Sequence, residues 1–228
     1  RALELDPKRS EGWNILGNAR KSRGDVNGAI ADYTQAIEFD NQNVHAWFNR
    51  GEARRVMGEL KGAIADFTRA IELDPENVNA LSNRGASRHK KGDLDGAIAD
   101  YTWAIRLDPE VAYFWYYRGM AYGDKNELDN AINDYDEAIR IDPHFADAYS
   151  HRGFAYVNLR EPERALEDYD EAIRLDSQFA EAYAGRAVIK MMLARDDEAQ
   201  SDAMRAVELG FDSSRLETDM DRVKRLRF

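Results

Sequence analysis

The residues that could carry chemistry are few and scattered. The chain has four histidines, and none of them shows a zinc-binding spacing such as H-E-x-x-H; they are His45, His89, His144 and His151. It has no cysteine, which excludes disulfides and thiolate metal sites. The phosphate-binding loop, the nucleophile elbow and the dinucleotide-binding glycine motif do not occur. The sequence therefore predicts no catalytic centre, no metal site and no cofactor.

Charged residues instead recur at a constant spacing of 34. One column holds the arginines Arg50, Arg84, Arg118, Arg152 and Arg186. A second column holds the aspartates Asp32, Asp66, Asp100, Asp134, Asp168 and Asp202. An arginine at a seam between helices is costly to bury unless a carboxylate pairs with it, so we predict a structural ladder of Arg–Asp pairs. Pairing within one copy would leave Asp32 over, and pairing with the next copy would leave Asp202 over; both registers remain open.

The elements that hold these columns form a repeat that runs without insertion over residues 10–213. Within each copy the apolar residues fall at helical spacing, as in Ala29, Ile30, Tyr33, Ala36 and Ile37. A column of small residues allows two helices to approach closely: Gly17, Gly51, Gly85, Gly119, Gly153 and Ala187. We therefore predict pairs of packed helices.

These columns resemble the signature of the tetratricopeptide repeat (TPR) family, W-x2-L-G-x2-Y…A-x3-F…A…P, over residues 1–213. The resemblance implies an all-α fold, a right-handed α-α superhelix of antiparallel helix pairs. One position departs from the family: the residue before the small column is usually Leu, but here only Leu16 follows that rule and the other five copies carry arginine.

The repeat also predicts the organisation of the chain. We expect six repeats, at 10–43, 44–77, 78–111, 112–145, 146–179 and 180–213. Residues 1–9 match the tail of a preceding copy, so we expect there the second helix of a truncated repeat. Ser213 or Ser214 can cap a final helix, and we expect residues 214–228 to form a C-terminal capping helix. The first residue is Arg1, so a targeting segment would be out of view; we expect a cytoplasmic protein.

The charge balance limits the class of partner. The formal net charge is −11 and the pI is about 4.9. A nucleic-acid groove needs a basic stripe, and an anionic membrane attracts basic segments, so both partners are excluded. No apolar run approaches the roughly 18 residues of a membrane-spanning helix. We expect a neutral or basic protein or peptide as the ligand.

The resemblance implies that the first helix of each pair lines a concave, peptide-binding surface. In the second and third copies the inward positions include His45, Phe48, Asn49, Asn79 and Asn83. Asn49 and Asn83 occupy one position in successive copies, which resembles the asparagine ladder of the O-GlcNAc transferase repeats. Amides can grip a peptide backbone, and solvated polar residues are the alternative. Both lysines of the chaperone-tail clamp are absent, so we exclude that ligand.

The fourth copy contains five consecutive aromatic residues, 113–117. We expect the strongest contact site in the fourth and fifth copies, at Tyr113, Tyr116, Tyr117, Met120, His151 and Phe154. Tyrosines are favoured at binding hot spots because they bury a large area for little rotamer entropy. Packing of these tyrosines against neighbouring first helices is the alternative.

Trp103 stands in a column that is otherwise polar, so we expect it to be exposed on the outer side, as a second contact surface for self-association; chance exposure without a role is the alternative. Taken together, the sequence predicts a non-catalytic adaptor that binds a peptide or helix of a partner in a concave groove. Two alternatives are a self-associating scaffold and the substrate-recruiting arm of a larger enzyme.

Overall fold

The computed structural model describes residues 10–226, and the described residues form thirteen α-helices and no strand. The helices are α1 (Ser10–Ser22), α2 (Val26–Phe39), α3 (Val44–Val56), α4 (Leu60–Leu73), α5 (Val78–Lys90), α6 (Leu94–Leu107), α7 (Ala112–Asp124), α8 (Leu128–Ile141), α9 (Ala146–Asn158), α10 (Pro162–Leu175), α11 (Ala180–Met192), α12 (Asp196–Glu208) and α13 (Ser213–Leu226). The all-α prediction is confirmed. The helix expected over residues 1–9 lies outside the described residues, as do the last two residues of the expected capping helix.

The chain divides into two compact units, 1–109 and 110–228. In the first unit the packed pairs are α1–α2, α3–α4 and α5–α6. In the second unit they are α7–α8, α9–α10 and α11–α12, and α13 packs against α11. Each pair therefore consists of a first and a second helix joined by a short turn.

The turn inside each pair contains one residue in the left-handed conformation. In the first unit this residue is a glycine with φ of 78–85°: Gly24, Gly58 and Gly92. In the second unit it carries a side chain at φ of 58–62°: Asn126, Arg160 and Ala194. Glycine adopts this conformation freely, whereas for a residue with a Cβ the left-handed conformation costs about 1–2 kcal/mol of conformational energy. The turns of the second unit are therefore strained relative to those of the first.

The residues of the small column lie close to an aromatic ring of the second helix. A Cβ atom on Gly17 would lie 2.5 Å from the ring of Tyr33, and one on Gly51 would lie 2.9 Å from the ring of Phe67. Tyr33 and Phe67 are fully buried, and so are the alanines four residues before and three residues after each of them in the second helix: Ala29, Ala36, Ala63 and Ala70. Any side chain at these glycines would displace the ring that fills the pair, so the column is structural.

Each arginine of the ladder pairs with the aspartate of its own repeat. Nη2 of Arg50 lies 2.7 Å from Oδ1 of Asp66, and Nε lies 2.9 Å from Oδ2, which is a bidentate pair. Four more pairs have their shortest N–O distances at 2.6–2.7 Å: Arg84–Asp100, Arg118–Asp134, Arg152–Asp168 and Arg186–Asp202. This is the first of the two registers, and Asp32 is the aspartate left over. Its carboxylate accepts instead from Arg20 at 2.9 Å.

Four of these arginines also reach the second helix of the preceding repeat. Nη1 of Arg50 donates to the hydroxyl of Thr34 at 3.1 Å, and Nη1 of Arg186 lies 2.7 Å from Oδ1 of Asp170. Arg84 reaches Thr68 and Arg152 reaches Asp136 in the same way. These arginines therefore connect two repeats as well as the two helices of one pair. The acceptor column, 34 residues apart, is visible in the sequence but was not part of the predicted ladder.

The last helix covers the apolar end of the second unit. Leu216 and Met220 are buried against a cluster that includes Ala187 and Ala203. The prediction that Ser213 or Ser214 caps this helix is wrong, because both lie inside it. Oδ1 of Asp212 accepts from the backbone N–H groups of Ser214 and Arg215, at 2.9 and 3.1 Å, so the cap is one residue earlier.

Candidate functional site

The first helices of successive pairs contact each other within each unit. In the first unit α1 contacts α3 and α3 contacts α5; in the second unit α7 contacts α9 and α9 contacts α11. Within residues 10–226, successive second helices of a unit make no contact of similar extent. The first helices therefore form the more closely spaced layer of each unit. We call the side of these helices that is turned away from their second helices the first-helix face.

In the first unit the predicted asparagine ladder is engaged within the protein. Nδ2 of Asn49 donates to Oδ1 of Asn14 at 2.9 Å, so this amide connects α3 to α1. Nδ2 of Asn83 donates to the backbone carbonyl of Asn79 at 2.9 Å, one turn earlier in α5. A peptide backbone would have to compete with both bonds. Peptide binding by this ladder remains a prediction, and in this structure both asparagines already donate hydrogen bonds within the protein.

The remaining predicted residues of the first unit differ in accessibility. His45 and Asn79 are exposed, whereas Phe48 is half-buried. The ring of Phe48 lies 5.8 Å from the ring of Phe67 in α4, in a tilted arrangement. Phe48 therefore packs partly on the core of its own helix pair, and His45 and Asn79 are the residues of this set that a ligand can reach directly.

The rest of this face is polar and internally paired. Lys21 of α1 forms an ion pair with Glu52 of α3. The hydroxyl of Tyr33 donates to Oδ1 of Asn18 at 2.7 Å. Burial, with a smaller contribution from the charge of Glu52, raises the pKa of Tyr33 to about 12, so the hydroxyl remains a donor at neutral pH. The first unit presents no exposed aromatic cluster on its described first helices.

In the second unit one predicted contact residue is part of the core. Tyr116 is only 7% exposed, so its placement on the concave surface is wrong. Its ring lies 4.7 Å from that of Phe145 and 5.3 Å from that of His151. Burial, followed by the charge of Asp147, raises the pKa of Tyr116 well above its usual range. Here the alternative was correct: this tyrosine packs between first helices.

Three of the predicted aromatic residues are exposed on the same face. Tyr113 of α7 is 57% exposed, Tyr117 of α7 is 38% exposed and Phe154 of α9 is 60% exposed. The rings of Tyr113 and Tyr117 are stacked, with centroids 6.2 Å apart and planes 25° apart. Such rings expose apolar area to water that a ligand could cover.

The rings of Tyr113 and Tyr117 each pack against a buried aromatic side chain. The ring of Tyr113 lies 4.9 Å from Phe145, edge to face, and the ring of Tyr117 lies 5.2 Å from Tyr116. Phe145 is the residue immediately before α9 and was not among the predicted site residues. Its signal in the sequence was weak, because the equivalent residues immediately before α3 and α5 are the helix-capping Asn43 and Asn77.

Met120 and His151 are half-buried beside these rings. Nδ1 of His151 lies 2.9 Å from the carbonyl oxygen of Asp147 and 3.3 Å from the hydroxyl of Tyr116. A carbonyl oxygen can only accept, so Nδ1 carries the hydrogen in this contact. His151 therefore positions the buried tyrosine and the start of α9 rather than projecting freely toward a ligand.

Trp103 lies on α6, the second helix of the third pair, and is 40% exposed. It is therefore on a different layer from the first-helix face. Its role as an outer contact remains a prediction.

The negative charge is concentrated in the second unit. Residues 1–109 contain 16 Lys and Arg against 17 Asp and Glu, a net charge of −1. Residues 110–228 contain 16 Lys and Arg against 26 Asp and Glu, a net charge of −10. The exposed aromatic rings therefore lie in the unit that holds nearly all of the excess negative charge, which favours cationic ligands over anionic ones.

The described residues contain no group of three or more His, Asp or Glu side chains arranged to hold a metal ion. No described helix is both long enough and apolar enough to cross a membrane.

Solved structures with a similar fold are numerous. The crystal structure of MamA is 28% identical, with a TM-score of 0.65, over 70% of this chain and 93% of that chain. YrrB, described as a TPR protein with an unusual peptide-binding site, is 24% identical, with a TM-score of 0.71, over 79% of this chain and 93% of that one. The pilF protein of Pseudomonas aeruginosa is 18% identical, with a TM-score of 0.77, over 93% of this chain and 97% of that one. No curated protein sequence matches the chain.

The family models match where the helix pairs are. The TPR repeat model matches residues 17–55, 52–92, 85–125 and 119–159, and a second tetratricopeptide repeat model matches residues 146–179. Together they span most of the described chain, and the small column, the buried aromatics and the paired helices account for the match in physical terms. The chain belongs to the tetratricopeptide repeat family.

Proposed function

We propose that this chain is a non-catalytic adaptor that holds a peptide or helix of a partner protein on the first-helix face, as repeats of this family generally act as protein-interaction modules. The observation that carries the proposal is the exposed set Tyr113, Tyr117 and Phe154. The exposed parts of these rings keep apolar area in water, and covering that area is favourable. The net charge supports a neutral or basic ligand.

The expected strength of binding follows from the exposed area. An aromatic side chain buries about 150–250 Å² when fully covered, so covering the exposed half of three rings removes about 300 Å² from water. At about 25 cal/mol per Å² this contributes roughly 7 kcal/mol. Association costs about 4–15 kcal/mol, so the rings alone do not give tight binding. We expect micromolar affinities that depend on additional polar contacts.

The test is a selection of peptides from a displayed random library against the full chain, followed by fluorescence-polarisation titration of the enriched peptides. The Tyr113→Ala/Tyr117→Ala double variant should weaken binding by about tenfold or more, because aromatic hot spots typically contribute over 1 kcal/mol each. Met204→Ala is the matched control, since Met204 is 56% exposed, about as much as Tyr113, but lies on the second helix α12. Peptides that bind both variants equally would place the contact surface elsewhere.

Self-association is the second candidate, and the exposure of Trp103 favours it. It predicts a mass above that of one 26.1 kDa chain in size-exclusion chromatography with light scattering, and a return to that mass in Trp103→Ala. A monomer at all concentrations would exclude this role for the chain.

A further inference from the structure

We infer that Tyr113, Tyr117 and Asp147 form a recognition site for a guanidinium group, so that the partner segment carries an arginine. This inference rests on the proposed adaptor function and names the chemistry of its ligand.

The aromatic part of the site is formed before a ligand arrives. The stacked rings of Tyr113 and Tyr117 are supported by Phe145 and Tyr116, which are both buried. Little side-chain freedom remains to be lost on binding, which reduces the entropic cost of association. Aromatic faces that are fixed and exposed attract a cation through the ring quadrupole.

The carboxylate part lies at the start of the neighbouring helix. Asp147 is in the first turn of α9, two residues after Phe145, whose ring touches that of Tyr113. Asp147 is exposed, and its backbone carbonyl oxygen lies 2.9 Å from Nδ1 of His151. The same Nδ1 lies 3.3 Å from the hydroxyl of Tyr116, so the first turn of α9 adjoins the tyrosines of α7. Among the described residues, no lysine or arginine forms an ion pair with Asp147. A cation from outside would therefore meet a carboxylate without an existing partner.

The composition of the surrounding face selects for a cation. On α7 the face continues from Tyr113 and Tyr117 to Met120 and Asp124, at helical spacing. On α9 it continues from Asp147 to His151, Phe154 and Asn158. Neither stripe contains a lysine or arginine, and the unit carries a net charge of −10, from 16 basic and 26 acidic residues. The charge of these stripes and of the unit disfavours an anionic segment.

A guanidinium group fits this site better than an ammonium group. It is planar and weakly hydrated, so it can stack on a tyrosine ring while its N–H groups donate to a carboxylate. An ammonium group is a compact, strongly hydrated charge and loses more solvation on stacking. The geometry of a ring pair beside one carboxylate therefore points to arginine.

The experiment is an NMR titration of the ¹⁵N-labelled full chain with the pentapeptide acetyl-Gly-Ser-Arg-Ser-Gly-amide. Its counterpart contains citrulline, which is nearly the same shape as arginine but uncharged. We expect saturable amide shifts in α7 and α9 with the arginine peptide and about tenfold weaker binding of the citrulline peptide. The Asp147→Asn variant should bind the arginine peptide more weakly than the wild type by a similar factor. Asp129→Asn is the matched control, because Asp129 is also an exposed acid in the first turn of its helix.

Two results would contradict the proposal of a guanidinium site. One is equal affinity for the arginine and citrulline peptides, or an Asp147→Asn variant that binds like the control. The other is the lack of any shift in α7 and α9 at about 5 mM peptide, which would occupy about five-sixths of a site with a Kd of about 1 mM. Either result leaves the adaptor function to its own test, because library-selected peptides that depend on Tyr113 and Tyr117 but contain no arginine would still support it.

Discussion

The left-handed residue in the turn of each helix pair gives a quantitative prediction. Gly92 and Ala194 occupy the same place in the third and sixth pairs, with φ of 85° and 58°. We expect Gly92→Ala to destabilise the protein and Ala194→Gly to stabilise it. The two substitutions are the reverse of each other at equivalent positions, so their effects should be opposite in sign.

The magnitude follows from the backbone alone. A Cβ atom on Gly92 would have no heavy atom within 4 Å, so the substitution changes no packing contact. The left-handed conformation costs a residue with a side chain about 1–2 kcal/mol of conformational energy, which destabilises the folded protein. Glycine has the greater conformational freedom to lose on folding, which offsets about 0.5–1 kcal/mol of that difference. The net change in the free energy of unfolding should therefore be about 1 kcal/mol in each direction.

The assay is urea unfolding followed by circular dichroism. With a slope of about 2–3 kcal/mol per molar urea, 1 kcal/mol moves the midpoint by about 0.4 M, downward for Gly92→Ala and upward for Ala194→Gly. Asn126→Gly should give a smaller gain, because asparagine tolerates the left-handed conformation better than alanine does. A Gly92→Ala midpoint equal to or above that of the wild type would refute the argument. So would an Ala194→Gly midpoint below it.

Three further substitutions test the packing and the charges. Arg152→Met should lower the free energy of unfolding at neutral pH by about 3 kcal/mol, because it leaves the Asp168 carboxylate buried without its bidentate partner. Burial already raises the pKa of Asp168 and favours its protonated form, so this loss should shrink as the pH falls and the carboxyl group takes up a proton. Gly17→Ala should cost about 1–3 kcal/mol, because the new methyl group would overlap the ring of Tyr33. Asp212→Ala should cost about 1 kcal/mol through loss of the α13 cap.

Each of these three substitutions can be compared in urea unfolding with a control variant or with the same variant at another pH. Gly153→Ala should cost less than Gly17→Ala, because the nearest atom to its Cβ lies at 3.3 Å rather than 2.5 Å. Ser213→Ala should be close to neutral, because Ser213 is inside the helix and does not cap it. An Arg152→Met loss that grows toward acidic pH would contradict the assignment of the cost to a charged Asp168.

Much of the fold follows from the repeat itself. The spacing of 34 and the columns around Gly17 and Tyr33 predict packed helix pairs, because six equivalent copies must bury the same face in the same way. The need for an arginine to be paired also follows from its type and its place at a seam. The exposure of Trp103 follows from the polar character of its column.

The register of the ladder and the composition of the binding face depend on tertiary structure. By spacing alone Arg50 could pair with Asp66 of its own repeat or with Asp32 of the preceding one, and a linear pattern does not state which is closer; in the structure it pairs with Asp66, and Asp32 pairs with Arg20. Tyr116 and Tyr117 are adjacent in sequence, yet successive helical residues point about 100° apart, so their neighbours decide which one is buried. Phe145, immediately before α9, and His151, within α9, cover Tyr116 and leave Tyr117 in solvent. The sequence alone determined which columns form the core of each helix pair, because that choice repeats. The contacts between neighbouring first helices, which differ from one copy to the next, decided which tyrosines remain for a partner.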